Sequence, residues 1–156
     1  MTQWIRYTLP AAAIITAASP AYAMRYLSIE DAQQQAFPKA HFTEVQAGRV
    51  WKAEAGGKVA GFFVFDRVIG KHLYIDYAVA LTPSGAVHSV EILEYRESYG
   101  GDVRSPSWLS QFSGKTSASP LKINGDIRNI SGATLSSTHI TEGVKRILAT
   151  YGGRLK

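Results

Sequence analysis

Between Glu44 and Glu97 the chain is dominated by residues that favour extended backbone, and this block constrains the fold more than any other feature. Four segments, "RVWKAEA", "VAGFFVFDRVI", "LYIDYAVALT" and "AVHSVEILEYRE", are rich in β-branched and aromatic residues. The turn signals "GGK", "IGKH" and "TPSG" separate them. Links this short cannot carry the crossover that parallel strands need, so sequential antiparallel pairing is expected. The block reads as a four-strand meander.

Its flanks read as helices. "SIEDAQQQAFPKA" opens with Ser28 as an N-cap and Asp31 three residues on, close to a capping box. The helix is expected to end near Phe37, because Pro38 disfavours helical geometry in the residue before it. After Glu97 the chain becomes rich in Gly, Ser and Pro. One short helix is expected there, with Ser105 as cap, Pro106 at the first helical position and Trp108, Leu109 and Phe112 as apolar anchors. "LKINGDIRNI" offers one more short strand. A last helix is expected from about Ser137 to Tyr151. Ile140, Val144, Ile147, Leu148 and Tyr151 recur on one face and Gly152 serves as C-cap. The fold class expected is α+β: an antiparallel β-meander sheet packed with an N-terminal and a C-terminal helix.

Residues 1–23 read as a cleaved secretory signal peptide. Arg6 supplies the positive start, Leu9 to Ala18 the apolar middle, and Ala21 and Ala23 the small-residue cleavage pattern. The apolar run has ten residues, short of the roughly 20 of a membrane-spanning helix. The expectation is a domain of residues 24–156 that is periplasmic or otherwise exported, and soluble after cleavage. An uncleaved anchor is the alternative. The full chain of 156 residues carries a net charge of +5. Loss of Arg6 leaves 16 basic residues against 12 acidic ones, or +4. The basic residues form no run or stripe, which argues against nucleic acid as a partner. With no cysteine, thiol chemistry and thiolate-held iron–sulfur clusters are excluded, so any electron handling requires a bound cofactor. The four histidines lack metal-ligand spacing, and no metal site is expected. Glu91, Glu94 and Glu97 do not all share one strand face, which disfavours a hydrolytic acid pair.

The densest chemical signal is "ISGATLSSTHITEGV". Ser131, Thr134, Ser136, Ser137 and Thr138 crowd the start of the last helix, where capping by Ser136 or Ser137 explains one or two hydroxyls. A helix N-terminus offers unpaired N–H groups and a partial positive charge, a natural phosphate site. Gly132 and Ala133 would let a bulky group approach the backbone.

This stretch, with Asp126 upstream, resembles the signature of the FMN-binding domain family, whose members include flavin-carrying components of the sodium-pumping NADH:quinone oxidoreductase and of the related Rnf complex, as well as stand-alone exported proteins. A second segment supports the resemblance. "YRESYGGDVRSPSWLSQFSGKT" is similar to the family's Glu-Thr-Pro-Gly turn followed by a Trp, a Gln-Phe-like pair and Gly-Lys. The matching positions are Glu97, Ser98, Gly100, Trp108, Gln111, Phe112, Gly114 and Lys115. Tyr99 departs from the usual proline.

The resemblance implies covalent FMN, joined through its phosphate to Thr134 by a separate flavin transferase that cuts FAD. It also implies a cofactor-binding set of Ser131, Gly132, Ala133, Leu135 and Ser136, with Asp126 in the transferase recognition sequence. Glu97, Ser98 and Gly100 would border the flavin ring, and Lys115 would pair with the phosphate or with the reduced, anionic ring. Tyr99, Trp108 and Phe112 are candidates for stacking. Expected partners are the transferase and a redox protein such as a membrane oxidoreductase or cytochrome. The function expected is an electron-transfer module rather than an enzyme with its own substrate. The alternatives are a non-covalent FMN-binding or partner-docking module, and a small flavin-dependent reductase.

Overall fold

The computed structural model describes residues 24, 25 and 27–156; the expected signal segment lies outside them. Five strands form the meander: β2 (His41–Gln46), β3 (Val50–Ala55), β4 (Lys58–Ile69), β5 (Tyr74–Leu81) and β6 (Val87–Tyr95). A two-residue strand, β1 (Met24–Arg25), joins the outer edge of β6. The sheet order is β1-β6-β5-β4-β3-β2, with every neighbouring pair antiparallel. Three α-helices, α1 (Ile29–Ala36), α2 (Pro106–Leu109) and α3 (Thr134–Tyr151), and two 3-10 turns, Gly101–Arg104 and Ser110–Phe112, complete the described elements.

The α+β class is as expected, but the meander has five strands rather than four. The additional one, β2, sits at the sheet edge. All its side chains are exposed except the half-buried Phe42, so "HFTEVQ" carries no inside–outside alternation to reveal it. The short strand expected in "LKINGDIRNI" is reduced to one isolated bridge between Ile123 and Ile127.

The helices cover opposite faces of the sheet. On one face Val64, Ile75, Tyr77, Val79 and Leu81 pack with Ile140, Val144, Ile147 and Leu148 of α3. Trp108, Phe112, Leu121 and Ile127 extend this core beneath the irregular segment. On the other face Phe63, Ala78, Ala80 and Leu93 meet Ala32, Ala36 and Phe37. Small residues beneath α1 let it lie close to the sheet. β5 is the central beneficiary: every residue after Tyr74 is buried, as a strand covered on both faces requires. Burial of each large aliphatic side chain stabilises the fold by roughly 1.5–3 kcal/mol.

Polar ties fix α3 in place. Asp66 on β4 accepts from Arg49 Nη2 at 2.9 Å, from Arg146 Nη2 at 2.6 Å and from the Tyr77 hydroxyl at 3.0 Å. Burial pushes the Tyr77 phenol upward, and the neighbouring Asp66 carboxylate adds to that shift. Gly143 makes the contact possible, because a Cβ there would collide with the Tyr77 ring and hydroxyl.

Local helix expectations are met at several ends. Ser28 caps α1 by accepting from Asp31 N at 3.0 Å, and Pro106 is the first residue of α2. Gly152 caps α3 by donating to Leu148 O at 2.9 Å. The start of α3 differs from expectation. It begins at Thr134, three residues before the predicted start, and neither Ser136 nor Ser137 caps it. Ala133 is the N-cap, with no side chain bonded to the first-turn amides.

Candidate functional site

Three chain segments meet around a cleft of about 250 Å³ at one end of the sheet. Lys71 comes from the β4–β5 tip, Tyr99 and Gly100 from the turn after β6, and Gly132, Ala133, Thr134, Leu135 and Ser136 from the entry to α3. Most of the expected hydroxyl-rich site is therefore gathered in one place.

The α3 entry is held from behind. The Trp108 indole N–H donates to Arg128 O at 2.7 Å, and Arg128 N donates to Gln111 Oε1 at 2.9 Å. With that segment anchored, the chain turns at Gly132, whose φ of +81° is left-handed and whose missing Cβ would face open space. Ala133 N donates to Ile130 O at 3.0 Å, and the first intrahelical bond runs from Ser137 N to Ala133 O at 2.9 Å. The N–H groups of Thr134, Leu135 and Ser136 precede any intrahelical acceptor. Without a capping side chain, they remain available to an acceptor at the helix end.

The hydroxyls divide the work. Thr134 is exposed, and its Oγ1 accepts from Asn129 Nδ2 at 3.2 Å. The Ser137 hydroxyl, fully buried, donates toward Asn129 Oδ1 and Thr134 O, both at 3.1 Å. That donation orients the Asn129 carboxamide, so its NH₂ faces Thr134. Ser136, also buried, lies 3.3 Å from the Tyr95 hydroxyl, which donates to Tyr99 O. Ser131 is exposed in the preceding turn and lines an adjoining cleft, and Thr138 lines a groove further along α3.

Gly100 closes the other wall. Its φ is +81°, and a Cβ there would lie 2.7 Å from the Tyr95 hydroxyl and 3.4 Å from Ser136 Oγ. The turn after β6 is thus pressed onto α3, which requires glycine on both counts. Tyr99, 86% exposed, stands at the cleft beside it.

Other expected residues have different surroundings. Trp108 and Phe112 are 4% and 0% exposed and stack edge-to-face in the core, so neither offers a ring to the cleft. Glu97 does not line the cleft. Its Oε1 accepts from His72 N, and from Leu73 N at 2.8 Å, gripping the β4–β5 tip. Burial acts to raise the Glu97 pKa, but the backbone donors of His72, Leu73 and Lys71 outweigh it and hold the carboxyl below its ordinary value. Ser98 is exposed and is also outside the cleft lining.

Lys115 does not present its ammonium to the cleft; its Nζ donates to Asp126 Oδ2 at 2.9 Å. Asp126 also accepts from Lys122 N at 2.8 Å and Leu121 N at 3.2 Å. These bonds, led by that from Lys122, pull its pKa down to about 2 against the opposing effect of burial. Asp126 and Lys115 therefore organise the loop that carries the chain toward α3. His139 lies in the second turn of α3, with Nδ1 2.7 Å from Ile69 O.

Sequence reading missed Lys71, Tyr95 and Asn129. Asn129 had a signal, since it stands five residues before Thr134 within the matching stretch. Lys71 reaches the cleft, and Tyr95 its backing at Gly100 and Ser136, only through tertiary packing.

No curated protein matches the chain. Among solved structures, NqrC of Shewanella oneidensis is similar at a TM-score of 0.52 and 24% identity. The match covers 62% of this chain and 52% of that one, so the chain spans about half the length of that protein; at this identity the likeness is one of fold. A family model described as the FMN-binding domain matches residues 70–149, from the β4–β5 tip through α3 and thus every wall of the cleft. The matched span is 80 of 156 residues, and on that match the chain belongs to the FMN-binding domain family.

Proposed function

We propose that this protein is an exported electron-transfer flavoprotein that carries FMN in phosphoester linkage to Thr134. The observation that carries the reading is the exposed Thr134 hydroxyl at the uncapped start of α3, oriented by Asn129 and open to the cleft. The site fits a phosphorylated ligand. Three first-turn amides and the positive end of the helix dipole lie beside the hydroxyl, and the open side of Gly132 leaves room for approach.

In the attachment step, a flavin transferase of the kind the resemblance implies breaks the pyrophosphate of FAD. Thr134 Oγ1 forms the new O–P bond and loses its proton, and AMP leaves. Asn129 uses its NH₂ to position the oxygen while leaving the hydroxyl proton free to depart. Ser131, Gly132, Ala133, Leu135 and Ser136 supply the surface around the linkage, and Asp126 keeps the upstream loop in the form the transferase meets.

FMN, once bound, supplies the electron chemistry; the protein supplies position and electrostatics. Gly100 and Tyr99 form the wall opposite α3, with Tyr99 the aromatic side chain exposed to the cleft. Export is supported by the signal-like residues 1–23, and a covalent bond prevents loss of a cofactor that is scarce outside the cytoplasm. No described helix is long and apolar enough to cross a membrane. A membrane oxidoreductase or cytochrome is the class of redox partner proposed.

The test is retention of flavin through denaturation. After coexpression with a flavin transferase, the band on a denaturing gel should fluoresce as flavin. The Tyr99 departure favours one rival, a module that holds FMN without a covalent bond. That rival predicts a flavin-bound native protein whose band is dark after denaturation.

A further inference from the structure

Among the described residues that line the cleft, Lys71 alone carries a charge. Its position is built rather than incidental. β4 ends at Ile69 and β5 starts at Tyr74, and the tip between them is gripped by Glu97 through the amides of His72 and Leu73. Gly70 lets this grip close, since a Cβ there would lie 2.9 Å from Glu97 Oε1. The tip is also tied to α3 by the contact between His139 Nδ1 and Ile69 O. Lys71 is thereby held at the cleft from two directions. The other lysine of interest, Lys115, is already occupied by Asp126.

We infer that Lys71 is the cation that faces the flavin ring, and that Glu97 is a positioning residue that holds it there. The inference rests on the flavin occupying the cleft beside Thr134, as proposed above. The first-turn amides of α3 already serve the phosphate, so the lysine, coming from a different element, is left to serve the ring. A flavin ring gains negative charge on reduction, and a fixed ammonium nearby favours that state. Positive charge near the ring is one of the levers by which a protein raises a flavin's potential. A glutamate in the turn after β6 thus influences electron affinity without touching the cofactor.

The experiment is spectroelectrochemical titration of the flavinylated mature protein alongside Lys71→Gln, Lys71→Arg and Glu97→Gln. Intact mass establishes loading in each. Lys71→Gln should weaken the preference for reduced flavin about tenfold, a fall of about 30 mV for a two-electron couple. Lys71→Arg should stay within about twofold of wild type, and Glu97→Gln should fall between the two. An unchanged potential in fully loaded Lys71→Gln would overturn the inference and leave the covalent carrier standing. A change in loading alone, with the potential unmoved, would assign Lys71 to the phosphate and equally overturn it. Wild type lacking flavin, with the transferase active on another target, would remove both this inference and the reading beneath it.

Discussion

The proposed attachment at position 134 depends on a hydroxyl that is exposed yet held in place. Asn129 and buried Ser137 form a relay in which each hydrogen bond fixes the orientation of the next. Loss of one such bond is worth about 0.5–1.5 kcal/mol. Asn129→Ala should therefore slow flavin attachment by about 3–10-fold in a timed transferase assay, with the melting temperature little changed. An unaltered rate would show that Asn129 does not orient the acceptor. Gly100 is demanding for a different reason. Gly100→Ala combines left-handed backbone with a contact to the Tyr95 hydroxyl, and should destabilise the fold by roughly 1–3 kcal/mol in denaturant titration. Tyr99 is the residue most free to vary structurally. If its ring stacks on the flavin, Tyr99→Ala should raise the fluorescence of the attached cofactor with no loss of loading.

At the scale of elements, α3 does two jobs, and this explains where sequence reading succeeded. Its apolar face, Ile140 to Leu148, was legible because burial imposes a 3.6-residue period. Its start was not. The crowded hydroxyls suggested a cap at Ser136 or Ser137, whereas both are drawn inward, Ser136 to Tyr95 and Ser137 to Asn129. The helix begins at Thr134 with its first amides uncapped, the arrangement the proposed phosphate linkage needs. β2 escaped notice for the opposite reason, since an exposed edge strand carries almost no burial pattern. In the loop from Gly114 to Ile127, Asp126 replaces regular backbone pairing by collecting Lys115, Leu121 and Lys122. Its folded-state pKa, about 2, lies below the ordinary carboxylate value of about 3.9. Stability from this clamp is then complete above about pH 4 and lost as pH falls toward 2. Asp126→Asn should flatten that part of a stability–pH profile relative to wild type. Parallel profiles for the two proteins would contradict the clamp.

For the molecule as a whole, a sheet covered on both faces makes a rigid platform, and the cleft sits where its turns meet the end of α3. The Asp66 cluster stiffens this platform by joining β4, β5 and α3 to the β2–β3 turn through Tyr77, Arg146 and Arg49. Asp66→Ala leaves the buried Tyr77 hydroxyl without its acceptor and should destabilise the protein by about 1–3 kcal/mol. The platform was readable from the strand block, and the exposed hydroxyl at the head of α3 from "SGAT". The place of Lys71 was not, because Lys71 and Thr134 are brought together only by the register of the sheet and the docking of α3. The central claim is the bond at Thr134, and intact-protein mass spectrometry tests it most directly. Mature protein coexpressed with a flavin transferase should gain the mass of FMN less one water, and Thr134→Ala should not. An unmodified wild-type mass beside a transferase active on a known target would contradict the account.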